Sequence, residues 1–170
     1  MELTNRETWT LIHGLVIGSL FLLAFAGGLA GLISLRGGLV TMEGVRERIF
    51  RLRIGITSMA ILAWATVLTG TWIVYPWYRE MTDDSPRSIL LSNPSTEDWH
   101  KFGMEWKEHI AWISPMLATA AAFLVLYYGK ELVRNRRMRL LVIVLFVAAF
   151  VVAGIAGMFG ALITKAAPVR

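Results

Sequence analysis

The sequence predicts an all-α protein: an integral membrane four-helix bundle, N-out and C-out, with one outer-face loop that contains a helical extension of the third span. Three observations predict it. Hydrophobic residues make up 56% of the 170 residues and charged residues only 17%, against about 45–50% and about 25% in soluble domains. Four stretches carry no charge at all, and each exceeds the roughly 20 residues that cross ~30 Å of hydrocarbon as a helix. Arginine and lysine gather in the connections before the second and fourth stretches. The same composition excludes a disordered chain. The absence of cysteine excludes disulfides, thiolate metal sites, Fe–S clusters, covalent c-type haem and cysteine nucleophiles. The length suits a single domain over residues 1–170.

The first charge-free stretch is 8–35. The residues before it hold Arg6 but also Glu2 and Glu7, and its apolar run is longer than that of a leader peptide. It therefore reads as a membrane span. Gly37-Gly38 marks its exit. The second, third and fourth stretches are 54–78, 109–129 and 140–164. Lipid offers no hydrogen bonds to the backbone, so each reads as a helix.

Orientation follows from the connections. Arg36, Arg46, Arg48, Arg51 and Arg53 precede the second span. Lys130, Arg134, Arg136, Arg137 and Arg139 precede the fourth. Against them stand only Glu43, Glu47 and Glu131, so these connections carry +7 of the net +5 and the rest of the chain −2. Basic connections stay inside, which places both termini outside. The net charge thus reports orientation and contact with anionic lipid headgroups, not a nucleic-acid partner.

The outer loop is 79–108. Its first part reads as irregular, with Asp83-Asp84-Ser85-Pro86 and Asn93-Pro94. Ser95, with Asp98 three residues on, resembles a helix start. The third helix is therefore expected to begin near Thr96, outside the bilayer. Trp9, Trp77, Trp99, Trp106 and Trp112 fall at the outer boundary with Tyr75 and Tyr78. They read as an interfacial belt, or as a surface that meets a quinone, a haem edge or a partner protein.

The chain has three histidines: His13, His100 and His109. An ionisable residue within a span marks a functional site. The topology puts His13 and His109 near one membrane face, on spans one and three. Two helices that each present an imidazole at one depth clamp a haem iron between them. Gly14 and Gly18 flank His13, and Gly154, Gly157 and Gly160 reach the same level on the fourth span, leaving room for a porphyrin. The same glycines also suit tight packing, with Ala153, Gly157 and Ala161 as a small-residue face. Thr66, Thr69, Thr71, Lys101, Lys107 and Arg79 are candidates for the rim around propionates. Glu105, at i−4 from His109, and the adjacent Glu108 are candidates for orienting the imidazole or taking protons. Met116 is an alternative axial ligand. His100 lies on the opposite helix face from His109 and reads as a solvated loop residue. The plainer reading keeps both intramembrane histidines as hydrogen-bonding or interfacial side chains.

Four spans with lone histidines near one face of spans one and three resemble the small four-helix b-type cytochrome subunits of respiratory enzymes. Ile12-His13-Gly14, Thr69-Gly70-Thr71 and the arginine-rich connection before the second span are also similar to CopD-type four-helix membrane proteins. Three histidines do not make two bis-histidine sites, so the first resemblance implies at most one such haem. The leading expectation is a haem b-binding membrane electron-transfer subunit of a bacterial or archaeal cell membrane. It would link the quinone pool to a membrane or outer-face redox partner. The alternatives are a non-redox structural subunit of a membrane complex and a CopD-like metal-handling protein using His13, His109, Met104 and Met116. No phosphate-binding glycine motif, HExxH or serine triad is present, so a stand-alone enzyme ranks below an electron-transfer subunit.

Overall fold

The computed structural model describes residues 2–35 and 41–168. Four long helices cross end to end: α1 (Asn5–Ser34), α2 (Met42–Tyr78), α4 (Trp99–Tyr128) and α6 (Arg136–Ala166). Two short helices sit in the connections, α3 (Pro86–Leu91) in the outer loop and α5 (Glu131–Arg134) just before α6. No strand occurs among the described residues. All four long helices are long and apolar enough to span a membrane. Arg36 and the Gly37-Gly38 exit lie outside the described residues.

The helices reach past the charge-free stretches because charged residues fit well at helix ends outside the hydrocarbon. Helix α1 starts at a complete capping box. Thr4 Oγ1 accepts from the Glu7 amide and the Glu7 carboxylate accepts from the Thr4 amide, satisfying two amides that lack helical partners. Helix α2 starts at Met42, far ahead of residue 54, with Thr41 as its cap. Its first turns project Arg46, Arg48 and Arg51 into the inner connection. Helix α6 is capped by Asn135, whose Oδ1 accepts from the Met138 amide.

Helix α2 packs against both α1 and α4, and α6 against α4 and more lightly α1. The core lies in the inner and middle bundle. Leu52, Ile56, Met59 and Ala63 of α2 meet Ala118, Ala121, Ala122 and Val125 of α4, with Leu32, Val142, Phe146 and Ala149 filling the centre. Alanine supplies most of the α4 face, as suits close approach where packing, not water exclusion, holds helices together in lipid. The outside is apolar instead: Leu23, Ile61, Phe123 and Val144 are 61–69% exposed. A soluble monomer rarely shows so large an apolar surface.

The outer loop differs from the sequence expectation in two details. Its first part contains α3, capped by Ser85 Oγ and opened by Pro86, and Leu90 of α3 is fully buried in a small outer cluster with Tyr78, Met104 and Ile163. Ser95 does not cap a helix. Its amide and hydroxyl both donate to Asn93 Oδ1, so asparagine organises the turn, and helix resumes at Glu97, near Thr96 as expected, and runs into α4. At the same end Arg6 makes a two-pronged pair with Glu80, at 2.6 and 2.9 Å, tying the start of α1 to the end of α2.

Candidate functional site

Three of the four spans carry widened, π-type turns in their outer segments. They cover Ile12–Val16 in α1, Gly70–Val74 in α2, and Trp99–Met104 and Trp106–Ile110 in α4. Local chemistry accounts for two of them. Pro76 has no amide and crowds the carbonyl four residues back, so the ladder of α2 opens just before it. Pro115 acts in the same way on Ala111, where α4 breaks before resuming at Ile113. Widened turns cluster at functional sites because they rotate side chains out of the regular register. Here they carry His13, Gly70, His100, Lys107 and His109.

His13 is half-buried and turned into the bundle. Its Nδ1 lies 2.9 Å from Thr69 Oγ1 of α2. The Thr69 hydroxyl also lies 2.7 Å from the Ala65 carbonyl and 3.2 Å from the Thr66 carbonyl. Donation to Ala65, the shortest of the three contacts, makes Thr69 the acceptor from His13 and puts the ring proton on Nδ1. Nε2 is left as a bare lone pair, the state in which imidazole ligates a metal or accepts a hydrogen bond. Gly70 makes the approach of α2 possible. A Cβ at that position would lie 3.0 Å from His13 Cε1 and 3.5 Å from Nε2.

Lys107 of α4 is the second bundle-facing group. Its side chain is half-buried. The amine lies so close to α6 that a Cβ on Gly160 would come within 2.7 Å of Nζ. Among the described residues no carboxylate lies within ion-pair distance of it. An unpaired ammonium inside a membrane bundle is costly.

The glycines divide into two groups. Gly28 and Gly55 are packing glycines: a Cβ on Gly55 would meet the Gly28 backbone at 3.2 Å, and one on Gly28 would meet Phe146 at 2.6 Å. Gly14, Gly18, Gly154 and Gly157 have nothing within 4 Å of a Cβ. The seam between α1 and α6 is closed by the stacked rings of Phe21, Phe25, Phe146 and Phe150. Gly18 lies one turn outward of Phe21 on α1, and Gly154 and Gly157 lie one and two turns outward of Phe150 on α6. By helical spacing they continue the faces of those rings. The seam is thus open beyond the phenylalanines, beside Lys107 and His13.

The structure separates the two histidines expected to share an iron. His109 points off the bundle with its side chain 69% exposed. It stands two residues from the inward-facing Lys107, so the two project from opposite sides of the helix. Its Nδ1 lies 3.1 Å from the Glu105 backbone carbonyl and 3.4 Å from the Glu105 carboxylate, the i−4 contact that the spacing predicts. Phe102, Glu105, Trp106, His109 and Ile110 line a shallow outward groove of about 230 Å³. Glu108 turns away, towards Tyr75 and Arg79. Met116 is 57% exposed, and Met104 is buried in the outer apolar cluster; neither joins His13. No group of three metal-ligating histidine, aspartate or glutamate side chains exists among the described residues.

His100 corrects the expectation of a solvated loop residue. It is half-buried, and its Nδ1 lies 2.7 Å from the Tyr78 hydroxyl, because the outer cluster draws Tyr78 and α4 together. Of the rim candidates, Lys101 pairs with Glu97 at 2.6 Å. Arg79 donates to Tyr75 Oη. Thr66 donates to its own helix at Leu62. Thr69 is the rim candidate that bonds His13, and Lys107 faces α6 at Gly160. The sequence held one signal for Lys107 as a core member: two residues from His109 on a helix, one of the pair had to face inward. No family model, curated protein or solved structure matches this chain.

Proposed function

We propose that this chain is a membrane electron-transfer subunit that works between the quinone pool and a redox partner at the outer face. Its redox-active ring would be held at His13. The observation that carries the reading is the hydrogen bond between His13 Nδ1 and Thr69: it occupies one ring nitrogen and leaves Nε2 free for a ligand. The open glycine faces of α1 and α6 support it, since a flat ring needs room beside a helix. Two kinds of ring use such a lone pair. Haem b would place its iron on Nε2, with His13 as the single axial ligand from the bundle interior, as in a b-type cytochrome subunit. A quinol would donate a hydroxyl hydrogen bond to it. Neighbouring subunits would supply donor or acceptor.

The test is a reduced-minus-oxidised spectrum of the detergent-purified protein together with an organic extract of it. A haem α-band or a bound quinone is expected. Well-expressed protein with neither overturns the reading. A non-redox structural subunit is the second reading, favoured by the exposed face of Gly157 and Ala161 and the outward His109 groove. It requires colourless protein that co-purifies with stoichiometric partners. The CopD-like reading has less support, because the methionines it needs stand apart from His13.

A further inference from the structure

Resting on that reading, we infer that the ring at His13 is the headgroup of a lipid-soluble quinone, held between the Lys107 ammonium on one side and the His13 Nε2 lone pair on the other. The two groups are complementary in hydrogen bonding. Lysine offers only donors, and this histidine nitrogen offers only an acceptor. A quinone carbonyl accepts from Lys107, and the hydroxyl of the reduced form donates to His13. A single ligand with an oxygen at each end satisfies both, where neither is satisfied within the described residues.

Charge favours this ring over haem. The Lys107 ammonium sits at this end of the bundle beside Gly160 of α6, and no carboxylate pairs with it among the described residues. A ferric iron on Nε2 would add a second positive centre in a medium of low dielectric. A quinone oxygen is neutral or gains negative charge on reduction, which the ammonium stabilises. Space favours it too. Backbone of α2 lies along the Cε1–Nε2 edge of His13 at Gly70. A porphyrin plane needs clearance all round Nε2, whereas a hydrogen-bonded oxygen needs one line of approach. Access comes from the bilayer itself. The α1–α6 seam is open at Gly18, Gly154 and Gly157, and its inner end is closed by the phenylalanine stack, an apolar floor for a ring.

The experiment titrates purified protein with a short-chain benzoquinone or naphthoquinone and follows quenching of tryptophan fluorescence. Trp106 and Trp112 flank Lys107 and His109 in the chain and report on this end. Wild-type protein is expected to bind, and Lys107→Met and His13→Ala to weaken binding by about tenfold or more, as loss of a hydrogen bond to a charged or enclosed group does. Lys107→Arg keeps a cationic donor and is expected to retain binding, which separates loss of the site from loss of the fold. His109→Ala is expected to bind as wild type does. Unchanged affinity in Lys107→Met overturns the inference and leaves the broader reading standing. So does a haem α-band that disappears in His13→Ala. Wild-type protein that is colourless and binds no quinone overturns both.

Discussion

At Thr69 a single hydroxyl proton decides what His13 can do. With that proton on the Ala65 carbonyl, its shortest contact, the histidine is the donor between them. Thr69→Val removes the acceptor and frees the ring. Quinone or haem retention is expected to fall, though less than in His13→Ala, and side-chain nitrogen NMR of labelled protein should show the Nδ1–H preference lost. A second residue-scale case is Ser114. Its buried hydroxyl donates to the Ala149 carbonyl across the α4–α6 interface at 2.8 Å. Ser114→Ala is expected to lower stability by roughly 0.6 kcal/mol, the usual size of an interhelical bond in a membrane, measured by unfolding in mixed detergent. At this scale the sequence was a partial guide. It singled out His13 because a titratable group in an apolar run stands out whatever surrounds it. It left Thr69 and Lys107 among six rim candidates, since nothing in a linear string says which threonine faces which imidazole. His109 was ranked equal to His13, but its ring leaves the helix on the far side from Lys107.

Among the elements, the glycines separate by what stands opposite them. Gly55 faces the backbone of Gly28, which cannot move aside without shifting α1. Gly55→Ala is therefore expected to cost roughly 1–3 kcal/mol, as overpacking does. Gly157→Ala meets nothing and is expected to stay within about 0.5 kcal/mol of wild type. The same unfolding measurement checks both; equal losses would show that α1 and α6 close upon each other at Gly157. Composition alone did not distinguish these glycines, because a small residue serves close packing and open space equally well. The helix extents were legible within limits. Absence of charge marked the hydrocarbon segments, whereas true ends depended on caps at Thr4, Thr41 and Asn135. Short α3 was missed because six residues in a loop give no periodicity; burial of Leu90 against Tyr78 and Met104 holds it in place.

For the whole molecule, the topology rests on arginine and lysine, and the absence of native cysteine makes it easy to test. Ser95→Cys is expected to react with a membrane-impermeant maleimide on intact cells, and Lys130→Cys only after permeabilisation. The reverse pattern would place His13 and Lys107 at the inner face and move the proposed site to the other compartment. By itself the sequence determined the class and the four spans, and it singled out His13 and the side expected for each connection. Those depend on hydrophobicity and charge, which sum along the chain regardless of neighbours. Only the tertiary structure decided which polar groups meet. It set Thr69 beside His13 and Lys107 beside Gly160, turned His109 away, and left the outer α1–α6 seam open. The reason is geometric: direction around a helix depends on register, and proline-opened and widened turns in the outer segments shift that register in ways that spacing along the chain does not reveal.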